Sequence, residues 1–306
     1  MSVPSELAKR VLVAVIAAPI TIGIVLAGGA ALAALLAVVA ALAAWELFRI
    51  ANASGLRPLS DVGVLIAGVI PLVVHAHFLG LYAGEAPLSA TALAVLAMLA
   101  LLGAAVWARG VAGKPLGAVA VTAFGAFFVG GTLSYAYALR YSDYTFGDVA
   151  LRIVGHDVNV PTGALVLMLP LLLTWASDIG AYAVGRSIGR HKLIPSVSPG
   201  KSVEGAVGGL ATSIVVAWLY IAFLLHPATS LGLKGGVLGA MLFGAIISAV
   251  AQLGDLTESL LKREAGVKDS SALLPGHGGV LDRVDSLLFV LPVAYVLLGL
   301  MVVWVR

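Results

Sequence analysis

Between Gln252 and Ser286 the chain reads QLGDLTESLLKREAGVKDSSALLPGHGGVLDRVDS, a stretch crowded with residues suited to binding ions. Asp255, Glu258, Ser259 and Lys262 recur at i, i+3, i+4 and i+7, which predicts one helical stripe of two acids, a hydroxyl and an ammonium. Lys262, Arg263 and Lys268 then crowd a short segment. After Pro275 come Gly276, His277, Gly278 and Gly279, where missing side chains let backbone amides approach an anion closely. Asp282, Arg283 and Asp285 open the apolar run that follows. Two acid clusters at the ends of consecutive apolar runs, joined by a basic loop, suit a bound metal–nucleotide pair. Each part alone has a plainer reading. A basic cluster beside an apolar run anchors topology or meets anionic lipid, and acids at a helix start answer its dipole. A lone histidine in a loop is commonly just hydrogen-bonded. The combination exceeds all three.

Two further segments carry polar groups. In Trp175-Ala-Ser-Asp178-Ile-Gly-Ala-Tyr182-Ala-Val-Gly185-Arg186, Asp178, Tyr182 and Gly185 share one helical face. Asp178 falls inside an apolar run, where a lone carboxylate costs about 2.5–3.5 kcal/mol, so it is expected to face a cavity, a partner or an ion. A structural ion pair with Arg186 is the plainer alternative. The second segment is Ser198-Pro-Gly-Lys201-Ser202-Val-Glu204-Gly205. Its Gly-Lys-Ser does not make a P-loop, because Pro195 stands where that motif needs glycine and no strand precedes it. It reads as a small-residue loop with one ammonium, two hydroxyls and a carboxylate, opening another apolar run. Ser198 or Ser202 would cap that helix, and a helix N-terminus also attracts anions.

The elements that must position these residues are membrane helices. The 306 residues are 61% hydrophobic and only 11% charged, with mean hydropathy +1.08. Soluble domains carry roughly 25% charged residues, so this chain takes the bilayer as solvent. Cysteine is absent, which excludes disulfides, thiolate nucleophiles and thiolate metal sites. A helix needs roughly 20 apolar residues to cross the hydrocarbon core. On that measure nine spans are expected, at 11–27, 30–48, 61–82, 88–107, 116–139, 162–185, 205–226, 235–256 and 284–305. Lys9 and Arg10 before the first run mimic a signal peptide, but the apolar character continues, and a retained span is expected. No internal repeat is evident, and no soluble domain fits between the spans.

Basic residues then set the orientation. One set of loop ends holds Lys9, Arg10, Arg49, Arg57, Arg109, Lys114, Arg186, Arg190, Lys192, Lys201, Lys262, Arg263, Lys268 and Arg283. The other holds Arg140, Arg152, Lys234 and Arg306. The asymmetry predicts a cytoplasmic N-terminus, an external C-terminus and motif loops on the cytoplasmic face. The fold class is therefore an all-α polytopic membrane protein, with motif-free helices over 1–160 and a motif-bearing region over 161–306.

The 259–285 segment resembles the signature of the phosphatidate cytidylyltransferase family. That pattern is Ser-x-apolar-Lys-Arg, four residues, Lys-Asp, then Pro-x-His-Gly-Gly and Asp-Arg-apolar-Asp. Ser259, Lys262, Arg263, Lys268, Asp269, Pro275, His277, Gly278, Gly279, Asp282, Arg283 and Asp285 meet it with every spacing kept. The Asp178–Gly185 and Ser198–Gly205 segments also look like family motifs, the latter departing at Gly200 and Ser202, where the family pattern has Lys and Thr. The resemblance implies transfer of the cytidylyl group of CTP to phosphatidic acid, with Mg2+ and a second cation as cofactors. It implies Asp255 and Asp282 as metal ligands, with Asp178 and Asp285 as candidates. Lys201, Lys262, Arg263, Lys268 and Arg283 are assigned to phosphate groups. Tyr182, Ser198, Ser202, Glu204 and the Gly276–Gly279 loop with His277 are assigned to the substrate pocket. A bacterial inner-membrane location is expected, and a homodimer is one expectation for its assembly. A CTP-dependent polyprenol kinase is the nearest alternative, and a secondary transporter, which would show paired helix interruptions, a more distant one.

Overall fold

A computed structural model describes residues 6–81, 89–145, 147–153, 156–274 and 278–304. Its helices are α1 (Glu6–Ala27), α2 (Gly29–Ala53), α3 (Ser60–Phe78) and α4 (Ala90–Ala108), then α5 (Pro115–Arg140). They continue with α6 (Thr162–Ile188), α7 (Val203–Thr229), α8 (Val237–Glu264) and α9 (Leu281–Met301). Among the described residues, α2 to α9 are eight helices long and apolar enough to cross a membrane. The fold class expected from hydropathy, an all-α polytopic membrane protein, is what the chain forms.

Three short antiparallel strand pairs interrupt the helices, the first two of them hairpins. β1 (Asp148–Ile153) pairs with β2 (His156–Pro161), β3 (Lys192–Ile194) with β4 (Ser198–Ser202), and β5 (Leu231–Leu233) with β6 (Val302–Trp304). Apolar run length does not foresee them: β1 to β5 sit in the connections, and β6 takes the end of the apolar run expected to stay helical to 305. β4 is the small-residue segment read above as a loop, and its register sets Lys192 opposite Ser202 and Ile194 opposite Ser198. α8 outlasts its apolar run, which ends near 256, as the expected stripe from Asp255 to Lys262 requires. It runs on to Glu264, because residues 257–264 are good helix formers although they are no longer apolar.

Packing divides the chain into two compact units, residues 1–137 with 261–284, and residues 138–260 with 285–306. In the first unit, glycines make room for a ring. Phe48 of α2 is 1% exposed, and a Cβ on Gly63 of α3 would lie 2.5 Å from its ring, as one on Gly125 of α5 would also overlap it. Thr122 of α5 closes the neighbouring turn, accepting from Leu59 N–H (2.7 Å) and donating to Ala118 O (2.6 Å). A small apolar core of Leu59, Leu101, Ala105, Val119 and Ala123 lies beside it.

In the second unit, α6 and α7 approach backbone to backbone. A Cβ on Gly205 would come 2.8 Å from Ala181 O, and one on Gly209 2.7 Å from Ser177 O. Small residues of this kind are how helices associate where lipid removes the hydrophobic driving force. Polar side chains then stitch in α8: Ser177 to Ser248 (2.7 Å), Gln252 Nε2 to Ala206 O (3.1 Å), and Ser213 Oγ to Gly244 O (2.9 Å).

Candidate active site

The predicted site residues gather into two constellations, one in each unit. In the second unit, α6, α7, α8 and the β3–β4 hairpin enclose a cavity of about 520 Å³. Asp178, Tyr182 and Arg186 line it from α6, Lys201 and Ser202 from the hairpin, and Gln252 and Asp255 from α8. Asp178 is exposed to this space, which answers how an acid is tolerated within an apolar helix. Lys201 Nζ lies 2.5 Å from Asp255 Oδ2, with about a third of each side chain still open. Arg186 donates to Tyr182 Oη (2.7 Å).

Two members of the hairpin segment do local structural work. Ser202 caps α7, its Oγ accepting from Gly205 N–H (3.1 Å). Glu204 faces back along the chain, accepting from Arg190 N–H (3.1 Å), His191 N–H (3.2 Å) and His191 Nδ1 (2.5 Å). Ser198 sits on β4 opposite Ile194 and is not among the residues lining the cavity. Asp285, at the start of α9, accepts from Ser286 N–H (2.6 Å). There α8 comes close, a Cβ on Gly254 falling 2.9 Å from Asp285 O.

In the first unit the signature loop folds around Asp282. Lys262 Nζ donates to Asp282 Oδ1 at 2.6 Å, both side chains nearly buried at 11% and 7% exposed. Asp282 Oδ2 accepts from Gly279 N–H (2.8 Å) and Ser270 N–H (3.1 Å) and lies 2.9 Å from Ser270 Oγ. Gly278 takes φ +82°, a conformation that favours glycine, and a Cβ there would fall 2.8 Å from Asp282 Oδ2. The glycine-loop amide expected to meet an anion does so here with the protein's own carboxylate. Arg263, Lys268 and Arg283 are exposed, Arg263 donating to Val267 O (3.4 Å). Pro275, Gly276 and His277 lie outside the described residues.

The helical stripe of α8 therefore serves two sets of partners: Asp255 meets Lys201, and Lys262 meets Asp282. Glu258 between them is buried. Sequence reasoning missed Gln252 as a cavity residue, and missed Glu46 altogether. Glu46 is wholly buried on α2 and accepts bonds from the signature loop. A carboxylate following sixteen apolar residues and Trp45 in α2 was the available signal.

The donor set in the cavity suits a hard divalent cation. Asp178 and Asp255 offer oxygen ligands in an open space, and magnesium keeps several waters, so two carboxylates are enough. Asp282 fits less freely, because its oxygens already hold an ammonium and two amides. Among the described residues no three His, Asp or Glu side chains cluster as a metal cage. A cation here would rest on one or two carboxylates, water and substrate oxygens.

A helical membrane protein with acids and cations facing a cavity at its helix ends has the equipment of a membrane-embedded enzyme for anionic substrates. Residues 8–301 match the model of the cytidylyltransferase family, and the chain belongs to that family. It is 33% identical over 303 residues to a phosphatidate cytidylyltransferase of Synechocystis, covering 94% of each chain. It is 46% identical over 149 residues to the phosphatidate cytidylyltransferase of Haemophilus influenzae, covering 49% of this chain and 51% of the relative. With that of Bacillus subtilis it shares 44% identity over 138 residues, 45% of this chain and 49% of the relative. In these last two alignments the match spans about half of the relatives' length.

Proposed function

We propose that this enzyme transfers the cytidylyl group of CTP to phosphatidic acid, giving CDP-diacylglycerol and pyrophosphate. One observation carries the reading. In a chain of the cytidylyltransferase family, a cavity of about 520 Å³ is lined by Asp178, Asp255, Lys201 and Arg186 together, so it can meet both a metal and phosphate oxygens.

The attacking phosphate oxygen of phosphatidate is already anionic, so no strong general base is needed. The difficulty lies in bringing two polyanions together and stabilising in-line displacement at the α-phosphorus. Lys201 and Arg186 would draw phosphate oxygens into the cavity. Asp178 and Asp255 would hold Mg2+, which when bound neutralises charge on the triphosphate. Lys201 is close enough to Asp255 to pass from its carboxylate to a phosphate oxygen as substrate enters. Asp282, already fixed by Lys262, orders the signature loop whose exposed Arg263, Lys268 and Arg283 face solvent, and these three are assigned to incoming phosphates.

In this reading α1 is a ninth crossing, the N-terminus is cytoplasmic and the C-terminus lies outside. The motif segments then face the cytoplasm of a bacterial inner membrane, as the uneven distribution of basic residues supports. CTP labelled at the α- or the γ-phosphate, supplied with phosphatidate to the protein in nanodiscs, tests the chemistry. Label from the α-position should enter the lipid. Entry of γ-label would make the enzyme a lipid kinase, and entry of neither would favour transport.

A further inference from the structure

Glu46 has no exposed surface, and a carboxylate is held in such a place only when its oxygens are filled with donors. All four donors recorded for it come from one stretch more than 220 residues away in sequence. Glu46 Oε1 accepts from Ser271 Oγ (2.5 Å) and Val280 N–H (3.0 Å). Glu46 Oε2 accepts from Leu281 N–H (2.6 Å) and lies 2.9 Å from Ser270 Oγ. Val280 and Leu281 stand at the entry to α9, where backbone N–H groups have no partner within the helix. Glu46 accepts two of them from α2, at a helix end whose dipole favours negative charge.

The same serine joins this carboxylate to Asp282. Ser270 Oγ is 2.9 Å from Glu46 Oε2 and 2.9 Å from Asp282 Oδ2, so its single proton serves both acids in turn. Gly279 lies between them: a Cβ there would overlap Ser270 Oγ and both Glu46 oxygens. The second glycine of the signature is thus required by Glu46 and Ser270.

We propose that Glu46 is a positioning residue for the transfer reaction, clamping both ends of the signature loop so that Asp282 and its basic neighbours are presented in one geometry. This rests on the function proposed above, and the experiment keeps the two apart. Glu46→Gln is the informative variant. Each carboxylate oxygen takes one hydroxyl and one backbone N–H, so whichever way the amide turns, its NH2 meets the N–H of Val280 or Leu281. Ser271→Ala removes one donor and leaves the carboxylate its other partners.

The chain has no cysteine, so Ala272→Cys, at an exposed site in the loop, carries a single nitroxide label on the full-length protein in nanodiscs. With Glu46 intact the label should report an ordered loop. In Glu46→Gln the label should become mobile, and kcat per folded molecule should fall about 10–100-fold, the size of loss when the support behind a site residue is removed. Melting temperature should fall, because a buried N–H loses its acceptor, and KM for CTP should move less than kcat. Ser271→Ala should show the same changes with a loss of less than about 10-fold. A Glu46→Gln protein with an unchanged label spectrum and wild-type kcat overturns the proposal. So does a kcat that falls only in proportion to the folded fraction. If Glu46→Gln does not insert, Ser271→Ala decides by the same two readouts, and an unchanged spectrum and rate there overturn the clamp. If the wild type incorporates no α-label, the proposed reaction fails, while the label spectra still decide whether Glu46 orders the loop.

Discussion

Asp282 and Asp255 are both acids of the motif segments paired with a lysine, yet the two pairs are built differently. Asp282 is 7% exposed, and its oxygens hold Lys262, two backbone amides and a shared hydroxyl. Asp255 is 35% exposed and meets Lys201 across an open cavity. A carboxylate surrounded by fixed donors is preorganised and hard to reassign. One holding a single flexible ammonium at the edge of a cavity can exchange that partner for a metal or let it go to a phosphate. In the proposed reaction the closed pair would set geometry and the open pair would handle substrate.

Removing the closed acid should have the largest effect. In Asp282→Asn, Lys262 loses its carboxylate while nearly buried, and breaking such a pair costs about 3–5 kcal/mol. Turnover should fall on the order of 100-fold or more. Label incorporation and thermal unfolding in the same detergent should therefore both collapse. If melting is unchanged, the closed pair is no more structural than the open one.

Asp255→Asn should separate those two readouts. The pair is open to solvent, and such pairs contribute about 0–1 kcal/mol, so melting should barely move. Activity should still fall on the order of 100-fold if this acid holds the cation, with more magnesium needed for half-maximal rate. Near-normal activity at low magnesium would remove Asp255 from the metal site.

Gly279→Ala probes the packing that closes the first pair. The overlap with Ser270 and Glu46 should cost about 1–3 kcal/mol as overpacking, read as a lower melting temperature. Activity should fall by less than in Asp282→Asn. Smallest is Lys201→Gln: an exposed partner is lost, so stability should hold within about 1 kcal/mol. The rise in KM for CTP should be roughly 10-fold, the range of one charged hydrogen bond. A kcat loss with KM unchanged would place Lys201 at the reacting phosphorus instead.

Much of this molecule can be read without coordinates. A lone acid in an apolar run is expected to face a cavity, a partner or an ion, and Asp178 lines a cavity. Ser198 or Ser202 is expected to cap a helix, and Ser202 does. Glu204 was expected at the substrate, yet its bonds go to His191 and Arg190. Nothing in its local sequence reveals a hairpin that brings those groups around.

The sequence by itself determined the solvent, the helices and the family. Hydropathy is a sum over neighbours along the chain, and a signature over 259–285 keeps its spacing whatever surrounds it. Tertiary structure alone decided which carboxylate each lysine meets, which anion the glycine amides hold, and that Glu46 reaches Ser270 across 224 residues. Such pairings depend on which helix faces packing brings together. A single glutamate in an apolar helix carries no spacing that points to its partners.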